Sequence, residues 1–396
     1  MRVIDSASIF RSPSLEFRFI FKSDKESYPV YHHMSFGDLI GEYLGSTSFA
    51  KLKMYKHQFE TIESLLGGYN VILTAGTGSG KTEAWAILAL CADYKSIVIY
   101  PNKALAHDQV ERLSKYASVL GRRVGEIHAH RELIKGDEDI VATNPAYLMS
   151  TIKSRRTPLI KFVSKVDLLV FDELAFYTPL QQQLILKLVE LIMEDYSCPQ
   201  VVILTATLEN CEVLAKKLTD ISRRETKVIG GNPFRRPNRT FIVYSGNIID
   251  YLTELLKYEE DIITVLFTET INSAEKLLRK IRAKNKDCPV ATHHSKKSRE
   301  ERNRIEEALR SGRIRVVISP RTLEQGIDIG AVGRIVHYGL PREPMVYIQR
   351  EGRKGRRKEI PFTETIIFPV KDMDFAILEK NFDSLNQWLD LSLIHI

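Results

Sequence analysis

Val71-Ile72-Leu73-Thr74-Ala75-Gly76-Thr77-Gly78-Ser79-Gly80-Lys81-Thr82 decides how this chain of 396 residues is read. Val71–Thr74 is a short apolar, β-branched run and predicts a buried strand. Glycines follow at 76, 78 and 80, and a helical stretch runs from Glu83 to Ala92. Strand, glycine loop and helix together make a phosphate cradle. The glycines let successive backbone N–H groups face one anion, and the helix start adds positive potential. Lys81 supplies a point charge and the Thr82 hydroxyl can ligate Mg²⁺. The pattern G-x-x-x-x-G-K-[ST] is kept except that Ala75 stands at the first glycine.

Similar apolar runs recur outward from this loop. The first series is Val71–Thr74, Ser96–Tyr100, Asp139–Ala142, Asp167–Phe171 and Val201–Leu204. The second is Ile262–Thr268, Pro289–Thr292, Ile314–Ser319, Arg334–Tyr338 and Glu364–Phe368. Helical patterns lie between them: Leu180, Leu184, Leu188 and Ile192 predict one apolar face, and Leu277, Leu278 and Ile281 another. Continuous apolar strands alternating with helices predict parallel sheets covered on both faces, so two α/β domains are expected. The stretch Gly230 to Asn238, with two Gly and two Pro, reads as the joint. The expected division is an extension at 1–48, an ATP-binding domain at 49–230, a linker at 231–239, a second domain at 240–370 and a helical tail at 371–396. Glu16 to Phe21 alternate weakly, without an assignable role.

Asp172-Glu173 follows the strand Asp167–Phe171. A carboxylate at a strand end beside a phosphate loop supplies a second metal contact, so Asp172 is expected to hold Mg²⁺ and Glu173 to orient and deprotonate water. A nucleoside triphosphate with Mg²⁺ is therefore expected, and the family resemblance described below implies that it is ATP.

Composition narrows the class further. The formal net charge is +7 and the pI about 9.0, which suits a polyanionic partner without requiring one. Apolar residues at 44% exclude a disordered chain. No apolar run reaches bilayer length, so no membrane partner is expected, and Met1–Arg11 lacks a secretion core, which predicts a cytoplasmic location. Cys91, Cys198, Cys211 and Cys288 make no C-x-x-C pair, which excludes a zinc or disulfide framework. The pairs His32–His33 and His293–His294 read as surface or loop residues. The basic stretch Lys296–Arg315, with eight Lys/Arg and four Glu, reads as a solvated helix with Ile305 and Leu309 inward, or as a nucleic-acid face.

An ordered set of motifs over residues 50–370 resembles superfamily 2 helicases, the DEAD/DEAH-like group. Tyr55-Lys56-His57-Gln58 resembles the Q motif, Pro101-Asn102-Lys103-Ala104-Leu105 motif Ia and Thr143-Asn144-Pro145 motif Ib. Asp172-Glu173-Leu174-Ala175 occupies motif II and Thr205-Ala206-Thr207 motif III. Ser319 to Asp328 is similar to motif V, and Gln349-Arg350-Glu351-Gly352-Arg353-Lys354-Gly355-Arg356 matches Q-R-x-G-R-x-G-R, motif VI. The resemblance implies two tandem RecA-like parallel-sheet domains with an ATP cleft between them. It implies a nucleotide site made of Gln58, Thr77, Gly78, Ser79, Gly80, Lys81, Thr82, Gly326 and Asp328. It implies catalysis by Lys81, Asp172, Glu173, Gln349, Arg353 and Arg356, with Arg353 and Arg356 as arginine fingers. A bare solvated patch at 350–358 is the plain alternative. Lys103, Thr143, Asn144, Thr268, Arg321 and Thr322 are the implied nucleic-acid contacts. Backbone contacts of that kind imply weak sequence preference and strong salt dependence.

The form of motifs V and VI resembles the DNA-repair and Ski2-like branches, which implies DNA rather than RNA, and 3′-to-5′ movement. Ala175 departs from the His or Asp that usually ends motif II, so weakened or rerouted coupling to nucleic acid is expected. Tyr177 keeps the aromatic found two residues further on in some relatives. Two other readings stay open: a nucleic-acid-stimulated ATPase remodeller or defence-complex motor without unwinding, and a binding module with a dead site. The last six residues, Leu391-Ser392-Leu393-Ile394-His395-Ile396, would be encoded by CTG TCT CTT ATA CAC ATC, a string that matches a library adapter. They are expected to be foreign, with the natural chain continuing.

Overall fold

Val71, Ile72 and Leu73 are fully buried, as are Val202 and Leu204 on the adjacent strand. A strand inside a parallel sheet is covered by helices on both faces, so it tolerates no polar alternation. The computed structural model describes residues 1–391 apart from 45–46, 77, 102, 129–130, 134–135, 155–158, 207–210, 233–234, 321–322, 324–329, 358 and 380.

Strands are numbered along the chain: β1 Arg18–Asp24, β2 Tyr31–Ser35, β3 Lys53–Tyr55, β4 Asn70–Ala75, β5 Ser96–Ile99, β6 Val124–His128, β7 Arg131–Leu133, β8 Ile140–Thr143, β9 Leu168–Phe171, β10 Gln200–Thr205, β11 Thr226–Gly231, β12 Asn238–Ser245, β13 Ile263–Phe267, β14 Val290–Thr292, β15 Val316–Ser319, β16 Val332–Tyr338 and β17 Thr363–Phe368. The chain folds as two units, Tyr28–Pro233 and Met1–Ser27 with Phe234–His395. They are called here the loop unit and the arginine unit.

The loop unit is built on an eight-stranded sheet in the order β11-β4-β10-β9-β5-β8-β6-β7, with β2 and β3 paired separately. All neighbours are parallel except β6 with β7. The arginine unit holds a seven-stranded sheet in the order β1-β12-β17-β16-β13-β15-β14, parallel except for the edge strand β1. Two parallel α/β sheets are therefore present, and each expected run lies on a strand.

Three expectations need correction. The expected linker is partly sheet: Gly230 and Gly231 close β11 against Thr74 and Ala75, and Asn238 opens β12. Sheet pairing uses the backbone, so glycine does not prevent it; at Gly231 a Cβ would meet the His57 ring at 2.7 Å. The i+4 face of the helix Pro179–Asp195 is only half used. Leu188 and Ile192 are buried, while Leu180 and Leu184 stand exposed at 72% and 53%. His293 and His294 are buried rather than superficial, bonded to Glu306 at 3.1 Å and Glu275 at 2.8 Å.

The N-terminal stretch does not hang free of the sheets. Residues Met1–Ser27 belong to the arginine unit. The helix Ser6–Phe10 buries Ala7, Ile9 and Phe10, and β1 runs antiparallel to β12. Arg334, fully buried on β16, donates to Glu364 (2.6 Å), Glu260 (2.9 Å), Thr264 Oγ1 (3.1 Å) and the Ile4 carbonyl (2.7 Å). The basic stretch after β14 forms the helix Arg299–Arg310, capped by Ser298, with Leu309 buried. Among the described residues no helix is long and apolar enough to cross a membrane.

Candidate functional site

The site grows from the carboxyl ends of β4, β9, β5 and β8. In open α/β sheets ligands sit beyond these ends. β10 lies between β4 and β9, which sets the phosphate loop and the acidic pair about 10 Å apart at the sheet. The side chains close that distance. Lys81 Nζ donates to the Ala75 carbonyl at 2.8 Å and lies 3.8 Å from the Glu173 carboxylate.

The loop is braced from the Q-like segment. His57 Nε2 donates to the Ser79 carbonyl at 2.8 Å, and Gln58 Nε2 donates to the Gly80 carbonyl at 3.0 Å. The Tyr55 N–H donates to Gln58 Oε1 at 2.9 Å. Gln58, an expected part of the nucleotide site, is thus buried and held at both ends of its amide, with one N–H still to give. Gly80 has φ +75° and a Cβ there would meet Gln58 Nε2 at 2.4 Å, so both conformation and space demand glycine. Burial, with help from the Lys81 charge, lowers the pKa of His57.

Asp172 is buried at the end of β9 and its carboxylate accepts the Glu173 N–H at 2.9 Å. Burial, then the neighbouring Glu173 charge, push its pKa up to about 7, against the pull of Lys81. A carboxyl so placed is satisfied by a cation. Glu173 itself has φ 52° and ψ 52°, left-handed for a residue with a Cβ. Such strain costs about 1–3 kcal/mol and collects at functional sites.

Four buried polar atoms on the phosphate loop and at or just after the strand ends lack a hydrogen-bond partner among the described residues: Ser79 Oγ, Tyr100 Oη, Thr143 Oγ1 and Tyr177 Oη; Tyr100 and Tyr177 both feel the Asp172 charge. Tyr100 follows β5 beside Asp172, since Ile99 and Phe171 are register partners. Buried orphans are costly in a finished core and normal in a ligand shell. Thr82 and Asp172 are the oxygen donors that fit Mg²⁺, which takes one or two protein oxygens and completes its shell with water and phosphate. Among the described residues no group of three His, Cys, Asp or Glu could hold a metal unaided.

Behind the loop, Glu83 accepts from Tyr116 Oη at 2.6 Å and from Arg112. Both partners lie on the helix Lys103–Val119, whose first residue is Lys103 of the Ia-like motif. Asn144 caps the next strand-end helix, its Oδ1 accepting the Tyr147 N–H at 2.9 Å. Sequence reasoning missed Glu83, Arg112 and Tyr100, which carry no spacing signal of their own.

In the arginine unit the Q-R-x-G-R-x-G-R stretch runs from the helix Pro344–Glu351 into a turn. Gln349 is half-buried on that helix. Arg350 is buried, donates to the Pro320 carbonyl at 3.1 Å and lies 4.6 Å from the Phe267 ring centre. Arg353 is half-buried, and exposed Arg356 donates to the Gly352 carbonyl at 3.2 Å. Lys354 is drawn inward to Glu351 at 2.5 Å. A bare solvated patch would not turn two of its cations into the protein. Thr268 is buried and gives its hydroxyl proton to the Thr270 carbonyl at 3.1 Å, so a phosphate contact requires it to leave that partner. Thr77, Arg321, Thr322, Gly326 and Asp328 lie outside the described residues, as do Asn102 and Thr207 of the motifs. The side chain of Lys103 is likewise outside what is described.

The DEAD/DEAH box helicase family model matches residues 55–214, and the helicase conserved C-terminal domain model matches residues 247–358. The chain is 26% identical over 333 residues to an uncharacterized ATP-dependent helicase of Methanocaldococcus jannaschii, covering 77% of this chain and 48% of that one. It is 26% identical over 361 residues to the ATP-dependent helicase hrq1 of Schizosaccharomyces pombe, covering 80% and 34%. The crystal structure of the DUF1998 helicase MrfA bound to DNA matches with a TM-score of 0.77 at 20% identity, over 93% of this chain and 53% of that one. The chain thus spans about half or less of the length of these proteins.

Proposed function

Because the chain belongs to the DEAD/DEAH box helicases, we propose that it is an ATP-driven nucleic-acid motor, with DNA the favoured track and RNA the second choice. The observation that carries this reading is the Lys81–Glu173 pair, 3.8 Å apart beside the buried Asp172. The preference for DNA draws support from the form of motifs V and VI and from the DNA held by the similar helicase MrfA.

In this mechanism Lys81 leaves its loop carbonyls for the phosphates, while Gly78, Ser79 and Gly80 turn their N–H groups to the same oxygens, and Thr77 belongs to the same nucleotide site. Thr82 and Asp172 would hold Mg²⁺, whose charge would offset that of the phosphates. Glu173 orients a water in line with the γ-phosphate and accepts its proton. Arg353 and Arg356 neutralise the charge that develops there, with Gln349, Gly326 and Asp328 lining the same nucleotide and Gln58 offering its remaining N–H to the base. Lys103, Thr143, Asn144, Thr268, Arg321 and Thr322 contact the sugar-phosphate backbone, so the hydrolysis cycle is coupled to movement along the strand.

The test is ATP hydrolysis measured with and without single-stranded DNA and RNA, beside strand displacement. Glu173→Gln is expected to lower kcat by about 100-fold or more, the scale of a lost general base. Hydrolysis left intact in both Glu173→Gln and Lys81→Ala would refute the proposal. Ala175 favours one second reading, a nucleic-acid-stimulated ATPase that does not unwind, because its side chain cannot hydrogen-bond. Strong hydrolysis without strand displacement would select it.

A further inference from the structure

Glu351 fills the first x of the Q-R-x-G-R-x-G-R pattern, between Arg350 and Gly352, at the C-terminal end of the helix Pro344–Glu351. Its carboxylate gathers three partners from three places. His337 Nε2 on β16 donates at 3.1 Å, the Thr365 hydroxyl on β17 at 2.6 Å, and the Lys354 ammonium at 2.5 Å. Lys354 also reaches Thr365. His337 is fully buried and stacked on Tyr347, with ring centres 4.4 Å apart. The turn that follows is tied at each step. The Arg353 N–H donates to the Arg350 carbonyl at 3.1 Å, the Lys354 N–H to Glu351 at 3.3 Å, and the Gly355 N–H to Val332 on β16 at 2.9 Å. Gly355 takes φ +72°, where a Cβ would press on Thr363 at 3.1 Å.

We propose that Glu351, with Lys354, is a positioning residue that clamps the Arg353 turn to strands β16 and β17 and so sets where the Arg353 guanidinium points. The proposal rests on the ATPase reading above. Arg353 is one residue from Lys354 and two from Glu351, so its Cα is fenced between two side chains anchored on the sheet. Glu351 does not need to touch nucleotide to matter. An arginine finger works only where charge develops, and a displacement of about 1 Å can cost about 100-fold in rate.

The experiment uses the whole chain and reads kcat, the ATP KM and nucleotide affinity for Glu351→Ala, Arg353→Ala and the double variant. Glu351→Ala is expected to lower kcat about 10- to 100-fold while KM and affinity stay within about twofold. The double variant is expected to be no slower than Arg353→Ala alone, because both changes remove one effect. Glu351→Gln, which keeps an oxygen for Thr365 or His337, is expected to recover part of the rate. An unchanged kcat in Glu351→Ala, or losses that multiply in the double variant, would overturn the proposal. If Glu351→Ala does not fold, Thr365→Val removes one of the same hydrogen bonds and must show the same kcat-only loss, or the proposal fails. Arg353→Ala at full rate would instead refute the arginine-finger role on which this proposal rests, while hydrolysis left intact in Glu173→Gln and Lys81→Ala would refute the ATPase reading itself.

Discussion

Tyr116 gives its hydroxyl proton to Glu83 at 2.6 Å, and so joins the helix that begins at Lys81 to the helix that begins at Lys103. Arg112 reaches the same carboxylate oxygen. The nucleotide side and the proposed backbone-contact side of the loop unit are therefore bonded through one half-buried carboxylate. Arg112→Ala leaves that charge without its cation and is expected to lower stability by about 1.5–3 kcal/mol, the worth of a hydrogen bond to a charged group. Urea unfolding monitored in parallel with Tyr116→Phe checks this; a change below about 0.5 kcal/mol, the size of an ordinary surface substitution, contradicts it.

Ala175 makes a separate claim. On the proposed mechanism hydrolysis rests on Asp172 and Glu173, while the family resemblance implies that the fourth residue of motif II, here Ala175, couples it to nucleic acid. Basal hydrolysis is expected to survive, with weak stimulation by single-stranded DNA, and Ala175→His is expected to raise the stimulation. Comparing hydrolysis with and without DNA in both proteins checks it. Equal, large stimulation in the two would show that the alanine does not matter.

The His337 cluster predicts a pH dependence of stability. Burial holds His337 down to about 4, below its ordinary 6.5. Against burial, the Lys354 charge and the His337 bond hold Glu351 down to about 2. In both cases the unfolded chain takes up a proton that the folded one refuses, so stability falls as pH falls. The histidine effect runs from about 6.5 to 4 and amounts to about 3 kcal/mol; the glutamate effect follows from about 4.5 to 2. His337→Gln is expected to flatten the first window, measured by the unfolding midpoint against pH. An unchanged slope between pH 6.5 and 4 would contradict it.

Ser6 tests the N-terminal segment. Its N–H and hydroxyl both donate to the buried Glu364, at 2.8 and 2.6 Å, and Glu364 in turn holds Arg334. Ser6→Ala is expected to cost about 1.5–3 kcal/mol, and removal of residues 1–24 more, because Arg334 then loses the Ile4 carbonyl and β12 its edge strand. Denaturant midpoints of the two variants, read against the intact chain, decide the matter. A truncated chain as stable as the intact one would show the segment to be an ornament.

The loop Gly76–Thr82, the acidic pair at 172–173 and the arginine turn at 349–356 were legible in the amino-acid order because each is local. A phosphate cradle, a strand end and a capped turn are written in adjacent residues, and the apolar runs between them dictate parallel sheets by their lack of alternation. What local order could not carry was any pairing across distant segments. That Lys81 meets Glu173 at 3.8 Å, that Gln58 spends its amide on Gly80, and that Glu351 ties a turn to His337 and Thr365 are products of sheet order and register. The same holds for residues 1–24, whose weak alternation gave no hint of Glu364 and Arg334 more than three hundred positions away. Buried charge finds its partner only once the chain has closed around it, so tertiary structure alone decides which polar residues brace the site and which are left to meet a ligand.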